Sequence, residues 1–243
     1  MIELGEFREV KMNSIELKNV TKRLKGNTVL DDITFTFESG NIYGLYGRNA
    51  SGKTMLLRAI AGLIYPNSGE VRIEGKILHK DISFPESMGI IIERTELLPQ
   101  YTGMENLKIL AKIKKIASVE DMRESLVRVK LDPDDKRKVH AYSLGMKQKL
   151  SIAQAIFEKP RIILLDEPTN ALDEEGVRSV RELFLEEKER GATIIVASHN
   201  KEDLAILADR IISISDGRIT GSDCDFSRIL RAELKTETVD STH

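Results

Sequence analysis

The alternation of apolar and polar residues predicts the strands of this chain. Ile33, Phe35 and Phe37 are separated by threonines, which is the period of a half-buried antiparallel strand, and Ile15 and Leu17 begin a similar pattern. Short and almost wholly apolar runs predict buried strands farther along the chain. These runs are residues 42–46, 162–165, 192–197 and 211–214.

Apolar residues at helical spacing predict a helical region in the middle of the chain. The positions are Met104, Leu107, Ala111, Val119, Met122, Leu126 and Val129. Ser118 and Asp121 resemble a capping box at the start of the second helix. Another amphipathic helix is predicted over residues 174–190, and Gly191 stops it.

These elements predict an α/β fold with an N-terminal antiparallel β part and an inserted α-helical part. We assign one domain to residues 14–230, with the core over 14–93 and 150–224 and the helical insert over 94–149. Residues 1–13 lead up to a second methionine, Met12, and are interpreted as an N-terminal extension, with an alternative start as the other reading. The polar residues 231–243 are predicted to form a mobile tail. No repeat or linker divides the chain.

Composition and charge exclude several classes of protein. Of the 243 residues 41% are hydrophobic, and 37 basic residues against 39 acidic ones give a net charge of −2. That total gives no sign of a nucleic-acid or membrane-surface protein, although it leaves local patches open. One cysteine, Cys224, excludes an internal disulfide, and four histidines exclude a dense zinc site. With no spanning run and no signal peptide, a cytoplasmic protein is expected.

A phosphate-binding loop is predicted between the first buried strand and a helix. Residues 47–54 fit the pattern G-x-x-x-x-G-K-[ST] at every fixed position. Glycines let backbone N–H groups face phosphate oxygens, and the N-terminus of the helix adds a favourable partial charge. We expect Lys53 to reach the β- and γ-phosphates and Thr54 to ligate Mg²⁺. The predicted nucleotide-binding residues are Gly47, Arg48, Asn49, Ala50, Ser51, Gly52, Lys53, Thr54 and Met55.

Two adjacent carboxylates end the buried strand at residues 162–165. Asp166 is placed to hold Mg²⁺ through its water shell, and Glu167 is placed to polarise an attacking water. Either acid alone is compatible with the cap of a turn, but two together are costly there unless they are paired or coordinated. The phosphate-binding loop alone does not distinguish kinases, GTPases, recombinases and transport ATPases. The acidic pair narrows the set of possible enzyme classes.

Four further stretches make the chain resemble the ATP-binding subunits of ABC transporters. Residues 142–148 resemble the family signature, in the form common among bacterial drug, peptide-antibiotic and haem-type exporters. Residues 168–173 resemble the D-loop, His199 matches the switch histidine, and residues 88–107 resemble the Q-loop segment. The resemblance covers roughly residues 14–219 and implies a P-loop NTPase core of the RecA-like type.

The resemblance also implies a mechanism, with ATP and Mg²⁺ as cofactors. Two subunits face each other head to tail, and each ATP lies between the P-loop of one and the signature of the other. Ser143 and the backbone of Gly145 would then donate to the γ-phosphate. Glu167 would orient or deprotonate water, and His199 would sense the γ-phosphate. Lys53, Glu167 and His199 are therefore the expected catalytic residues.

The partners implied by the resemblance are other protein chains, and no nucleic acid. The ATPase would power a separate transmembrane permease, docked near residues 93–107 and the helical insert, and would lie on the inner face of the cell membrane. Its second ATP-binding subunit is expected to be another copy. The form of the signature favours export.

Three positions depart from the family. Leu24 replaces the aromatic residue that usually stacks on adenine, so either apolar contact or another aromatic, for example near Phe7, holds the base. Glu93 replaces the Q-loop glutamine, and its carboxylate either ligates Mg²⁺ or pairs with Arg94 and points away. Ala50 stands where many relatives have glycine, a tolerable change if its φ stays negative.

Two other functions compete with transport. A soluble ABC-type ATPase that acts on DNA or ribosomes typically has long coiled coils or two cassettes, whereas this sequence has no heptad run, no second P-loop and no basic net charge. A non-hydrolysing regulator is disfavoured because Asp166, Glu167 and His199 are all present.

Overall fold

A computed structural model describes residues 15–93 and 96–223. The predicted N-terminal extension and mobile tail, together with Phe7, Arg94 and Cys224, lie outside the described residues. The strands are β1 Ile15–Leu24, β2 Asn27–Phe37, β3 Ile42–Tyr46, β4 Ser68–Ile73, β5 Lys76–Ile77, β6 Met88–Ile91, β7 Ile162–Asp166, β8 Thr193–Ser198, β9 Arg210–Ser215 and β10 Arg218–Asp223. The α-helices are α1 Lys53–Ile60, α2 Gly103–Lys114, α3 Val119–Arg128, α4 Leu144–Ile156, α5 Glu174–Glu189 and α6 Lys201–Leu207.

The N-terminal strands form the predicted antiparallel sheet, in the order β2-β1-β4-β5. Ile15 pairs with Phe37 and Leu17 pairs with Phe35, so the apolar positions of both strands lie on one face. Ile33 and Phe37 are buried while the threonines between them are exposed, which confirms the period-two pattern. No element was predicted for β4 and β5.

The buried runs form a second sheet, in the order β10-β9-β3-β8-β7-β6. Its strands are parallel except β10, which returns antiparallel to β9 through a turn at Asp216 and Gly217. Both turn residues have positive φ, 49° and 73°, as the predicted Asp-Gly hairpin requires. β3, β8 and β7 are neighbours, so their carboxyl ends meet at one edge of the sheet.

Two apolar clusters form the core, one on each side of the parallel sheet. One joins the antiparallel sheet and α1 to the sheet through residues such as Phe37 and Leu56. The other joins the sheet to the remaining helices, with Leu107, Leu126 and Phe184 among its members.

The helical insert contains α2, α3 and the start of α4. Both α2 and α3 begin with a capping box, at Thr102–Glu105 and Ser118–Asp121, and the second confirms the prediction from the sequence. α4 runs through residues 149 and 150 without a break, so the predicted boundary between insert and core falls inside one helix. None of the helices in the described part of the chain is long and apolar enough to cross a membrane.

Candidate functional site

A cavity of about 420 Å³ lies at the carboxyl ends of the parallel strands. The loop after β3 and the first turn of α1 form one wall, and the end of β7 forms another. Its lining residues are Val29, Asn49, Ala50, Ser51, Gly52, Lys53, Thr54, Met55, Asp166 and Glu167. Seven of the nine predicted nucleotide-binding residues in this segment therefore face one cavity. Val29 was not predicted, and no motif marks it.

The loop provides hydrogen-bond donors for an anion. The side chain of Lys53 is buried, and its ammonium donates to the carbonyl oxygens of Gly47 at 2.6 Å and Arg48 at 3.2 Å. No side chain caps the N-terminus of α1, where the first backbone N–H groups lack helical partners. The buried hydroxyl of Ser51 also has no hydrogen-bond partner among the described residues. These groups fit the oxygens of a bound phosphate.

The backbone of the loop departs from ordinary dihedral angles at two residues. Gly52 has φ 114°, and its α-carbon faces the carbonyl oxygen of Val29, so a β-carbon there would lie 3.0 Å from that oxygen. Ala50 has φ 64°, so the condition under which alanine would be tolerated without strain is not met. A left-handed conformation costs a residue other than glycine ~1–2 kcal/mol.

Asp166 and Thr54 lie side by side at the base of the cavity. The Thr54 hydroxyl donates to Oδ2 of Asp166 at 2.7 Å. Burial raises the pKa of the Asp166 carboxyl above its ordinary value, and the nearby charge of Glu167 adds to the effect. A carboxylate and a hydroxyl are hard oxygen ligands, and a divalent cation would offset the cost of the buried charge. The pair therefore fits Mg²⁺ bound together with phosphate.

Glu167 is held by the turn that follows β8. His199 approaches Oε1 of Glu167 with its ring Nδ1 at 2.8 Å and with its backbone N–H at 3.0 Å. Ser198 donates to the other oxygen at 3.3 Å. Glu167 itself has φ 48°, a left-handed conformation that non-glycine residues adopt mainly where surrounding contacts maintain it. The two residues predicted separately from sequence are thus in direct contact.

The Q-loop residue Glu93 does not line the cavity. Its carboxylate accepts from Arg58 at 2.8 Å, and its side chain is more than half exposed. The sequence left open whether Glu93 ligates Mg²⁺ or pairs with Arg94. In the structure its partner is Arg58 of α1, which is distant in sequence and carries no motif.

The predicted base-binding residue, Leu24, is also not among the lining residues. It is the last residue of β1 and is 39% exposed. Val29, which does line the cavity, lies on the paired strand β2.

The signature residues lie at the N-terminus of α4. Ser143 is exposed, and its hydroxyl caps the helix by accepting from the backbone N–H of Met146 at 3.2 Å. A β-carbon at Gly145 would lie 3.1 Å from the carbonyl oxygen of Ala171. Neither residue lines the cavity. Gln148 donates to the carbonyl oxygen of Pro168 at 2.8 Å, which ties α4 to the loop after Glu167.

A phosphate-binding loop between β3 and α1, facing Asp166 across a cavity at the edge of a parallel sheet, defines a P-loop nucleoside triphosphatase. The chain belongs to the ABC transporter family, whose family model matches residues 30–170. It is an ATP-binding subunit with ATPase activity. Such subunits form dimers and work with membrane permease components.

Two relatives described as transport ATP-binding proteins agree with this assignment. The ABC transporter ATP-binding protein YybJ of Bacillus subtilis is 59% identical over 209 residues, which cover 86% of this chain and 96% of that protein. The bacitracin transport ATP-binding protein BcrA of Enterococcus faecalis is 36% identical over 207 residues, which cover 84% of this chain and 67% of that protein.

The fold is similar to that of a solved cassette. The bacterial ABC transporter cassette MJ0796, solved as a dimer, superposes with a TM-score of 0.78 at 26% identity and covers 86% of this chain and 97% of its own. The same cassette in a post-hydrolysis state bound to ADP and Pi gives a TM-score of 0.75 at 25% identity, with coverage of 86% and 97%.

Proposed function

We propose that this chain powers export through a separate transmembrane permease and hydrolyses ATP as a homodimer. The observation that carries the proposal is the division of the site within one chain. Lys53, Thr54, Asp166 and Glu167 line the cavity, whereas Ser143 is exposed and does not line it.

In this proposal the P-loop binds and orients the triphosphate. The residues concerned are Gly47, Arg48, Asn49, Ala50, Ser51, Gly52, Lys53, Thr54 and Met55. Lys53 exchanges its two carbonyl acceptors for the β- and γ-phosphates, which form stronger charge-assisted hydrogen bonds. Thr54 and Asp166 hold Mg²⁺, which neutralises charge on the phosphates when bound. Glu93 joins them only if its carboxylate leaves Arg58.

Glu167 acts on the attacking water and His199 positions Glu167. A carboxylate at the edge of the cavity is suited to accept a proton or to orient the water that loses it. His199 holds Oε1 through ring and backbone nitrogens, and these contacts fix the direction of the carboxylate. In this proposal the ring of His199 also senses the γ-phosphate. General bases of this kind contribute ~10²–10⁴ in rate.

A second copy completes the site. The N-terminus of α4 presents Ser143 and the backbone N–H groups near Gly145 to solvent, and a helix N-terminus attracts an anion. In a head-to-tail dimer these groups reach the γ-phosphate on the partner's P-loop. Leu24 contacts the base without an aromatic face.

The permease places the subunit on the inner face of the membrane. Export is supported by the form of the signature and by the similarity to BcrA, described as a bacitracin transport protein. Nucleic acid has no part in this proposal, and no observation favours the alternative of an ATPase on DNA or ribosomes.

The test is to purify the tagged chain from detergent-solubilised membranes of its host. A co-purified membrane protein with about six apolar spans of ~20 residues is expected, and its reconstitution with the chain should stimulate ATPase activity. Lys53→Ala should lack that stimulation. Recovery of the chain with ribosomes or DNA, and not with membranes, would contradict the proposal.

A further inference from the structure

Helix α2 has an apolar row on the side that faces away from the core. Leu107 and Ala111 are buried against the rest of the insert. Ile113 is 77% exposed, and Ile116, just beyond the end of the helix, is 64% exposed. Ile113 and the half-buried Ile109 are four residues apart on the helix and share one face. Ile116 follows the left-handed cap residue Lys115 and adds a further exposed apolar side chain at the same end of the helix. A helix that only covers a core carries polar residues there.

A row of lysines runs beside these isoleucines. Lys108 and Lys112 are four residues apart on the helix, and Lys115 is its left-handed C-terminal cap. All three are exposed, and within the described ranges no carboxylate lies within ion-pair distance of them. Lys114 lies on another side of the helix and pairs with Glu158 at 3.1 Å. Lysines near the C-terminus of a helix interact favourably with the helix dipole. That interaction does not explain why the neighbouring isoleucines are exposed.

We propose that this surface, Ile109, Ile113 and Ile116 with Lys108, Lys112 and Lys115, binds an anionic lipid bilayer directly. We call it the α2 crest. The inference rests on the proposed location at the membrane, where the inner leaflet carries a negative potential. An amphipathic helix with adjoining apolar and basic rows buries its apolar side chains between headgroups while its lysines attract the lipid charge.

A protein partner fits the α2 crest less well. Protein interfaces are depleted in lysine and enriched in aromatic residues and arginine, and the crest has the opposite composition. Ile109 and Ile113 lie on a convex helix and Ile116 lies just beyond its end, and a convex surface suits a deformable bilayer. The lysine side chains, free of ion pairs with the described residues, are available to lipid phosphates.

The experiment is co-sedimentation of the purified full-length chain with vesicles, without any permease. We expect binding to vesicles of phosphatidylcholine mixed with phosphatidylglycerol and little binding to phosphatidylcholine alone. Raising the salt from about 0.1 M to about 1 M shortens the Debye length from about 10 Å to about 3 Å and should release the chain. Lys112→Gln and Lys115→Gln should each weaken binding about fivefold.

Variants distinguish binding through the α2 crest from nonspecific binding of the chain to vesicles. Ile113→Ser should weaken binding severalfold, whereas Val127→Ser, an exposed apolar residue of α3, and Lys136→Gln should leave it unchanged. ATPase activity of every variant should match the parent, which shows that each is folded. Equal binding to neutral vesicles, or equal losses in the crest and control variants, would overturn the proposal. Binding that appears only when a permease is present would assign the crest to that protein instead, and leaves the proposed function intact.

Discussion

The P-loop cavity and the N-terminus of α4 differ in how much of their chemistry one chain completes. At the cavity Lys53 is 5% exposed, and the Thr54 hydroxyl lies 2.7 Å from Asp166. At α4 the hydroxyl of Ser143 caps its own helix and faces solvent. Groups held by burial and mutual hydrogen bonds are preorganised, while exposed groups act only when a ligand or partner reaches them. In the proposed dimer these two regions form one site, and we call the cavity the prepared half-site and the N-terminus of α4 the open half-site.

The largest expected effect lies in the prepared half. Glu167→Gln should lower kcat by ~10²–10⁴ and leave ATP binding intact, because the amide keeps the shape of the side chain but accepts no proton. It should also accumulate an ATP-bound dimer, which size-exclusion chromatography detects. Glu174→Gln, on the first turn of α5, is the matched control. Wild-type turnover in Glu167→Gln would refute its catalytic role.

Mixing experiments compare the two halves directly. Lys53→Ala should weaken ATP binding about ten- to a hundredfold in the monomer, since it removes a charge-assisted hydrogen bond. Ser143→Arg should leave that affinity unchanged and abolish ATP-driven dimerisation and hydrolysis. A mixture should recover activity of at most one working site per mixed dimer, measured by steady-state ATPase assay.

One result of these assays would contradict the prediction. Full activity of Ser143→Arg alone would show that one chain hydrolyses ATP without the signature of another. The open half would then have no part in the reaction.

A third prediction concerns recognition of the nucleotide base beside the prepared half-site. Because Leu24 has no aromatic face, affinities for ATP and GTP should differ by less than about a hundredfold. Leu24→Tyr should strengthen nucleotide binding by about fivefold to a hundredfold, from stacking of ~1–3 kcal/mol. Isothermal titration measures both. Strong discrimination by the parent chain would mean that another residue holds the base.

Asp166 should make the stability of the nucleotide-free protein depend on pH. Its pKa is raised in the folded chain by burial, so the ionised carboxylate destabilises the nucleotide-free protein, and stability falls as the pH rises through that pKa. Asp166→Asn should therefore unfold at a higher temperature than the parent, with a difference that grows from pH 4 to pH 7. Its ATPase activity should be lost. If the two proteins unfolded at the same temperature across that pH range, the ionised Asp166 carboxylate would not destabilise the folded chain.

The smallest expected effect is at Ala50. Its φ of 64° carries strain that glycine lacks, so Ala50→Gly should raise the free energy of unfolding by up to ~1 kcal/mol, less the entropy that glycine adds to the unfolded chain. Ala61→Gly, at a φ of −70°, should lower it. Denaturant titration of the two variants compares them, and destabilisation by both would show that the loop is unstrained.

Local patterns accounted for most of the fold and for the prepared half-site. The phosphate-binding loop is continuous in sequence and follows a strongly apolar strand, so its position needed no tertiary information. β4 was missed because only Val71 and Ile73 are apolar among its residues, and β5 was missed because it is only two residues long. Val29 was missed because β2 reaches the cavity only by packing on the loop.

The sequence by itself determined most of the strands and helices, the loop of residues 47–54 and the acidic pair Asp166 and Glu167. Only the tertiary structure decided that Glu93 pairs with Arg58, that Glu167 contacts His199, and that Ala50 has a positive φ. The physical reason is the sequence separation over which each interaction acts. Periodicity and turn chemistry act over a few residues, whereas ion pairs and enforced dihedral angles depend on elements brought together by burial of the core.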